Sequence, residues 1–521
     1  MSGAWTDLPD EFHAGVDPAH PERSDTATHM ERLRSIRHGE AHLAWSRYQS
    51  IATIYDQLVV NSDGGFFIDR YTEMVTRVCR EDAITRYRAD QWVGEALALR
   101  DRLPKVATTL RDGILSRELI QTVITRTDLI SDDAVIADLD TEIEHILRNR
   151  KGAWSKPTLR DMVDRLVFRH DPDAVRERRR EALDKRGVWI DNFADGTGEI
   201  TGVMAAENVR IAEKAVKALA DTVCAHDGRK RNQRNSDAMF ALLTGTVFEC
   251  QCGREDCDAE VPDPAEVVRS VSTELIIHVV TDPATLDGAP GIGWVDGHGV
   301  ISDEHVRDLA DRPDATIKPV TPVRTPPARV VADDATDAPS TEVVFVYPGA
   351  QAADPYRPTT ACAEFVRVRD GYCTEPGCPS SAFDSDLDHV TEYDRTNPTQ
   401  GGATSSENLN AKCRFGHLHK TFGDWIDAQY RDDDGHLVTE YRTPEGFTIP
   451  GGAETLEDLF PNLRRIRYEQ PPQAPPTPRV ITGEDARSPT NRLARKHARR
   501  RAERARNKKQ RLADQKEPPP F

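Results

Sequence analysis

Several things are missing from this sequence, and each absence narrows the reading. No apolar run is long enough to span a bilayer, so a membrane-embedded body is excluded. The opening stretch MSGAWTDLPDEFHAG has neither a basic n-region nor an apolar h-region. A secretory signal is therefore not expected, and the cytoplasm is the expected location. No internal repeat is evident. An evenly dispersed disulfide framework is missing too: the nine cysteines are odd in number and clustered, which in a chain without a signal points to metal. Net positive charge is also lacking. At −18, the average field repels phosphate and anionic lipid.

What is present is a chain of 521 residues, long enough for two to four domains. With 38% hydrophobic and 30% charged residues and a mean hydropathy of −0.61, it reads as a very soluble globular protein with extra polar length. Residues 1–30 are polar and aperiodic and are expected to be disordered. Residues 31–312 carry apolar side chains at spacings of three and four, so a mainly helical domain with small β elements is expected. Pro104 and Gly113 should break its long runs, and Pro157 lies near a helix start. An Asp-Gly turn within 186–204 suggests a small hairpin. TELIIHVV (273–280) has the β-branched content of a strand. Ser302 is the expected N-cap of a following helix, and DGHG (296–299) reads as a plain turn. Residues 313–354 are a Pro-rich linker or irregular segment. A compact module is expected at 355–430, a short β or irregular extension at 431–470, and a Pro-rich linker with a basic tail at 471–521.

The module holds the informative pattern. Cys373 and Cys378 form C-x4-C, and Cys413 follows 35 residues after Cys378. Zinc takes thiolate and imidazole ligands, often from two short knuckles. Between the knuckles lie Asp388-His389 and Asn408; His417 and His419 follow on an expected helix. Cleaving a phosphodiester requires an activated water, a cation on the phosphate and a stabilised leaving oxygen. Asp388 and His417 can hold a divalent ion such as Mg²⁺ or Mn²⁺. His389 can take a proton from water, and Asn408 can orient that imidazole. Neighbouring strand residues face opposite ways, so Asp388 and His389 can share a site only where the strand ends or twists.

The stretches VRVRDGYCTEPGC, SDLDHV, GGATSSENLNAKC and CRFGHLHKTF resemble the HNH endonuclease motif, with His389, Asn408 and His417 as its name-giving residues. Together with LPKVATTLRDGILSRELIQTV and YRPTTACAEFVRVRDGYC, they resemble an actinobacterial HNH endonuclease family found as repeat families in mycobacteria. That resemblance spans about residues 40–430. It implies a C-terminal ββα-metal fold behind a long helical domain of unassigned function. It also implies His389 as general base, Asp388 and His417 as ligands of the catalytic ion, and DNA as substrate. One position departs from the pattern. Where relatives often carry His, Cys or Asp, three residues past the second-knuckle cysteine, this chain has Gly416. Cys373, Cys378 and Cys413 then need a fourth zinc ligand, for which His419 is the candidate.

Two further features stand apart from the motif. Cys250, Cys252 and Cys257 form a second cluster with no evident fourth ligand nearby, and read as an ordinary reduced loop. The basic tail, with Arg495, Lys496, Arg499, Arg500, Arg501 and Arg504, reads as a DNA-phosphate contact. The expectation is thus a metal-dependent HNH endonuclease. A DNA-binding regulator with a decayed nuclease, or a zinc protein organising a partner interface, are the alternatives. DNA is the expected partner, a membrane is not, and oligomeric state is not legible.

Overall fold

The computed structural model describes residues 25–61, 69–193, 196–274, 278–312, 315–318, 320, 344–346, 355–393, 401–423 and 425–469, with backbone only at 271–274 and 344–346. The Pro-rich linker and basic tail at 471–521, including Arg495 through Arg504, lie outside these residues. The chain divides into two compact units, Met1–His170 with Arg312–Phe521, and Asp171–Asp311. Among the described residues, no helix is long and apolar enough to cross a membrane.

The first unit begins with seven helices: α1 (Thr26–Tyr55), α2 (Arg70–Glu81), α3 (Arg86–Leu97), α4 (Pro104–Arg111), α5 (Arg117–Thr127), α6 (Asp133–Asn149) and α7 (Lys156–His170). Local chemistry sets their starts. Asp25, Asp69, Thr85, Ser116 and Asp132 each accept a backbone N–H from the first turn. Pro104 opens α4, where its missing donor is not needed. The Asp25 cap starts α1 at Thr26, so the disorder expected up to residue 30 does not reach that far. The core helix α7 packs against α5 and α6, burying Leu159, Met162, Val163, Leu166 and Val167. Its two buried carboxylates are both satisfied. Arg126 pairs with Asp164, and the Tyr372 hydroxyl donates to Asp161 at 2.7 Å.

The second unit holds α8 (Pro172–Asp184), a hairpin of β1 (Gly187–Asn192) and β2 (Gly198–Val203), then α9 (Ala206–Ala220), α10 (Arg231–Thr244) and α11 (Pro264–Glu274). Leu219, Ala220, Val223, Ala238, Ala241, Phe248 and Val267 form the core of the three-helix part. A second layer follows, of β3 (Val279–Thr281), α12 (Pro283–Leu286), β4 (Ile292–Val295), β5 (Gly299–Ser302) and α13 (Asp303–Ala310), with strand order β3-β4-β5. The segment expected as one strand at 273–280 is split. α11 runs to Glu274 and β3 starts at Val279, and residues 275–277 lie outside the described residues. Ser302 caps α13 as expected, accepting from His305 N at 3.4 Å.

The chain then returns to the first unit. β6 (Val344–Val346) lies inside the expected linker, yet pairs in parallel with β12 (Ile466–Tyr468). Between them come α14 (Thr360–Asp370), β7 (Asp386–His389), β8 (Leu409–Lys412), α15 (Arg414–Phe422), the antiparallel β9 (Ile426–Arg431), β10 (Leu437–Arg442) and β11 (Thr448–Pro450), and α16 (Leu456–Leu459). This half is built into the helical half. Ala153 bridges to Gly452, and Arg165 pairs with Glu454 at 3.1 Å. Gly152, at φ +137°, makes the approach possible: a Cβ there would lie 2.2 Å from Ala453 Cα. Helices 25–170 and the module therefore form one unit, and the stretch 31–312 divides at His170.

Candidate metal-dependent active site

The site is a small ββα unit of β7, β8 and α15. β7 and β8 pair antiparallel, with Asp388 opposite Asn410 and His389 opposite Leu409. A buried ion pair fixes β8 to α14. Arg369 and Asp370 have fully buried side chains 2.7 Å apart. Arg369 also donates to the carbonyls of Ser406 and Leu409, and Asp370 accepts from Ala411 N at 2.8 Å. Removing either partner would leave a buried charge alone, which costs about 3–5 kcal/mol. Lys412 is equally buried and pairs with Asp427 at 2.7 Å and Glu375 at 2.9 Å.

Asp388 and His417 meet. His417 Nε2 lies 3.8 Å from Asp388 Oδ1, within the roughly 4.2 Å that two metal–ligand bonds of about 2.1 Å can bridge. The other ring nitrogen is held by a residue that sequence reasoning missed: Asp386 Oδ2 contacts His417 Nδ1 at 2.8 Å and Arg414 at 2.9 Å. These bonds from His417, and then Arg414, hold the Asp386 carboxyl below its usual range. A carboxylate on the far nitrogen fixes ring orientation and raises ligand basicity. Asp386-x-Asp388 alternation on a strand was the available signal, since residues two apart share a face. The oxygen-plus-imidazole pair, backed by that carboxylate, fits a divalent ion. Lys420 was missed as well. One turn after His417, its ammonium sits 2.7 Å from Asp388 Oδ2, 3.4 Å from Asp427 and 3.0 Å from the Val390 carbonyl.

His389 ends β7 and is buried, stacked on Tyr356 with centroids 5.0 Å apart. Its Nε2 is 2.9 Å from Thr404 Oγ1, and that hydroxyl lies 2.8 Å from the Pro355 carbonyl. A hydroxyl has one proton. Thr404 gives it to Pro355 and so accepts from His389, which puts a proton on Nε2. Asn408 does not do the task expected of it. Its amide accepts from Thr391 N at 2.9 Å and donates to the carbonyls of Thr391 at 3.0 Å and Ala403 at 2.8 Å. Both amide protons are thus spent on the two ends of the loop after β7. Asn408 staples that loop, and Thr404, next to Ala403, passes the constraint to His389.

The sulfur atoms of Cys373, Cys378 and Cys413 lie within 4.8 Å of one another. Backbone donors reach them, among them Cys413 N to Cys373 at 3.1 Å and Gly416 N to Cys413 at 3.4 Å. The hydrogen bond with Cys373 pulls Cys378 down to about 5, while that bond and burial push Cys373 up. His419 does not join them. It packs between Phe415 and Trp425 at 5.8 and 5.2 Å, because six residues past Cys413 the helix has turned it about 240° away from that cysteine's face. Gly416 is explained by a neighbour instead. A Cβ there would lie 2.6 Å from Glu375 Cγ, so Glu375 fills the volume a ligand at 416 would need. A cavity of about 20 Å³ is lined by Cys373, Glu375 and Cys378 among others, room for one small occupant.

The chain has relatives among known proteins. The chain is 28% identical over 511 residues to the uncharacterized protein Rv3776 of Mycobacterium tuberculosis, covering 93% of this chain and 92% of that one. It is 28% identical over 476 residues to the uncharacterized protein Rv2100 of the same species, covering 86% and 82%. A third relative there, the uncharacterized protein in est 3'region, is 27% identical over 356 residues, 67% of this chain and 98% of that one. No solved structure matches. Residues 68–332, about half of the chain, match the family described as Domain of unknown function (DUF222), and the chain belongs to that family.

Proposed function

We propose that this protein is a metal-dependent HNH endonuclease that hydrolyses DNA phosphodiesters. The observation that carries the reading is the 3.8 Å approach of His417 Nε2 to Asp388 Oδ1, next in the chain to a histidine whose protonation pattern suits a base. Asp388 and His417 hold the divalent ion, Mg²⁺ or Mn²⁺, which when bound offsets charge on the phosphate and the leaving oxygen. His389 Nδ1 takes the proton of the attacking water as its oxygen bonds to phosphorus and the P–O ester bond breaks. The Thr404 hydroxyl accepts from Nε2 and so orients the ring. Asp386 turns the His417 ring toward Asp388, and Asn408 fixes the loop that carries Thr404. Cys373, Cys378 and Cys413 would hold a structural zinc, tethering β8 and α15 to the knuckle before β7. Arg495, Lys496, Arg499, Arg500, Arg501 and Arg504 supply phosphate contacts, which are sequence-independent and weaken with salt.

One observation favours a second reading, a DNA-binding protein whose nuclease has decayed. The Lys420 ammonium 2.7 Å from Asp388 already neutralises the carboxylate that would hold the ion. Cleavage of supercoiled plasmid across a divalent-ion series separates the two. The endonuclease nicks or cuts with Mg²⁺ or Mn²⁺ and His389→Ala does not, whereas DNA bound and never cut in any ion supports the second reading.

A further inference from the structure

The three cysteines of CQCGREDC have a fourth companion far back in the chain. Cys224, just past the end of α9, brings its sulfur to 3.5 Å from that of Cys250. The sulfur atoms of Cys224, Cys250, Cys252 and Cys257 all lie within 4.8 Å of one another. In a tetrahedral zinc tetrathiolate, Zn–S bonds of about 2.3 Å put the sulfurs roughly 3.8 Å apart, so the cluster already has about the size of that site. A disulfide would need about 2.05 Å, and all four thiols are free. Sequence spacing alone did not bring the fourth thiol in, because Cys224 is 26 residues before Cys250, beyond the reach of any short-spacing rule.

Packing alone does not account for the convergence. From Thr246 to Asp263 the chain forms neither helix nor strand, and Phe248 is its only buried residue. A stretch of that length without secondary structure needs something to hold it. A small polar hinge aligns its start. Asp227 accepts from Gln251 N at 2.8 Å and pairs with Arg229 at 2.8 Å; Arg229 in turn donates to the Glu249 carbonyl at 2.8 Å and lies over the Phe248 ring. This sets Cys250 and Cys252 beside Cys224. Gly253, at φ +66° with open space around it, reverses the chain so that Cys257 returns to the same point. Nothing comparable positions the loop at Cys257, which is exposed.

We propose that Cys224, Cys250, Cys252 and Cys257 bind one structural zinc ion that pins the 246–263 loop to the end of α9. Four thiolates favour a soft or borderline ion such as zinc over Mg²⁺ or Mn²⁺, and a closed four-sulfur shell leaves no position for catalysis. This site is separate in the chain from Asp388 and His417 and does not depend on nuclease activity.

The test is the metal content of the purified full-length protein, with Cys79→Ser, outside both clusters, as control. Cys252→Ser and Cys257→Ser should each lose one zinc equivalent relative to wild type, while Cys79→Ser loses none. Because a variant can lose metal by misfolding, the second measurement uses the unaltered chain. Cobalt reconstitution should give the intense visible bands of a tetrathiolate ion, and Cys257→Ser should lose one site's share of them, keeping those of the Cys373, Cys378 and Cys413 cluster, with helical circular dichroism retained. Unchanged zinc content in both variants overturns the proposal. So does recovery of the four cysteines as two disulfides from anaerobically purified wild-type protein.

Discussion

The two cysteine clusters differ in what shapes them. Around Cys373, Cys378 and Cys413, buried ion pairs do much of the work: Arg369 with Asp370, and Lys412 with Asp427 and Glu375. Two strands, a helix and the helical half of the unit close around them. That region has three thiols and a glycine where a ligand is expected, and buried ion pairs support its shape in addition to any metal there. Around Cys224, Cys250, Cys252 and Cys257 the reverse holds. The thiol set is complete, but the loop carrying three of them buries little. A site can thus be strong as a motif and incomplete as a ligand shell, or weak as a motif and complete.

That contrast can be broken first by chelation. Structural zinc contributes about 10–16 kcal/mol of apparent binding free energy in zinc-finger peptides. Stripping zinc should therefore expose residues 246–263 to protease while α14, β7 and β8 stay protected. Limited proteolysis read by mass spectrometry checks this, and equal protection of the loop with and without chelator would break the comparison. The converse variant is Arg369→Met. It should destabilise the first unit by about 3–5 kcal/mol in denaturant unfolding and leave the zinc equivalent at Cys224 in place. If Arg369→Met unfolds as wild type does, the buried pair is not what shapes the ββα unit.

Smaller effects sharpen the active-site half. Asp386→Asn should weaken divalent-ion affinity or cleavage about 10–100-fold without altering DNA binding, since Asp386 acts through the His417 ring; a change below twofold in both would remove it from the site. The smallest effect is on pH. The folded Asp386 carboxyl lies below its unfolded value because His417 and Arg414 bond to it. Its contribution to stability is therefore present above the unfolded carboxylate range and is lost as pH falls through the depressed folded value. The group is 38% exposed, so solvent screens most of this contribution. Unfolding curves of wild type and Asp386→Asn should differ slightly at neutral pH and merge in acid.

Much of this was readable from residues alone, and the limits have physical causes. Helix starts were legible where a short polar side chain or proline stands at the head of an apolar repeat, as at Pro157 and Ser302. The ββα order was legible because Cys, Asp-His, Asn and Cys-His occur in one short span. Asp386 and Lys420 were overlooked because their roles appear only once β7 and α15 face each other. Asn408 was given the right neighbourhood and the wrong partner, since a loop staple and an imidazole orienter look alike in one dimension. Gly416 looked like a loss until Glu375 was seen filling its space. β6 was hidden in a Pro-rich stretch because its parallel partner, β12, lies more than a hundred residues away.

The most direct test of the central claim compares wild-type and His389→Ala protein on supercoiled plasmid, each titrated with Mg²⁺ and Mn²⁺, with DNA binding measured in the same samples. The account predicts ion-dependent nicking by the wild type, and a variant that binds DNA and ion equally well yet does not cut. Equal cleavage by the variant, or wild-type protein that binds plasmid and leaves it intact in every ion, would contradict it.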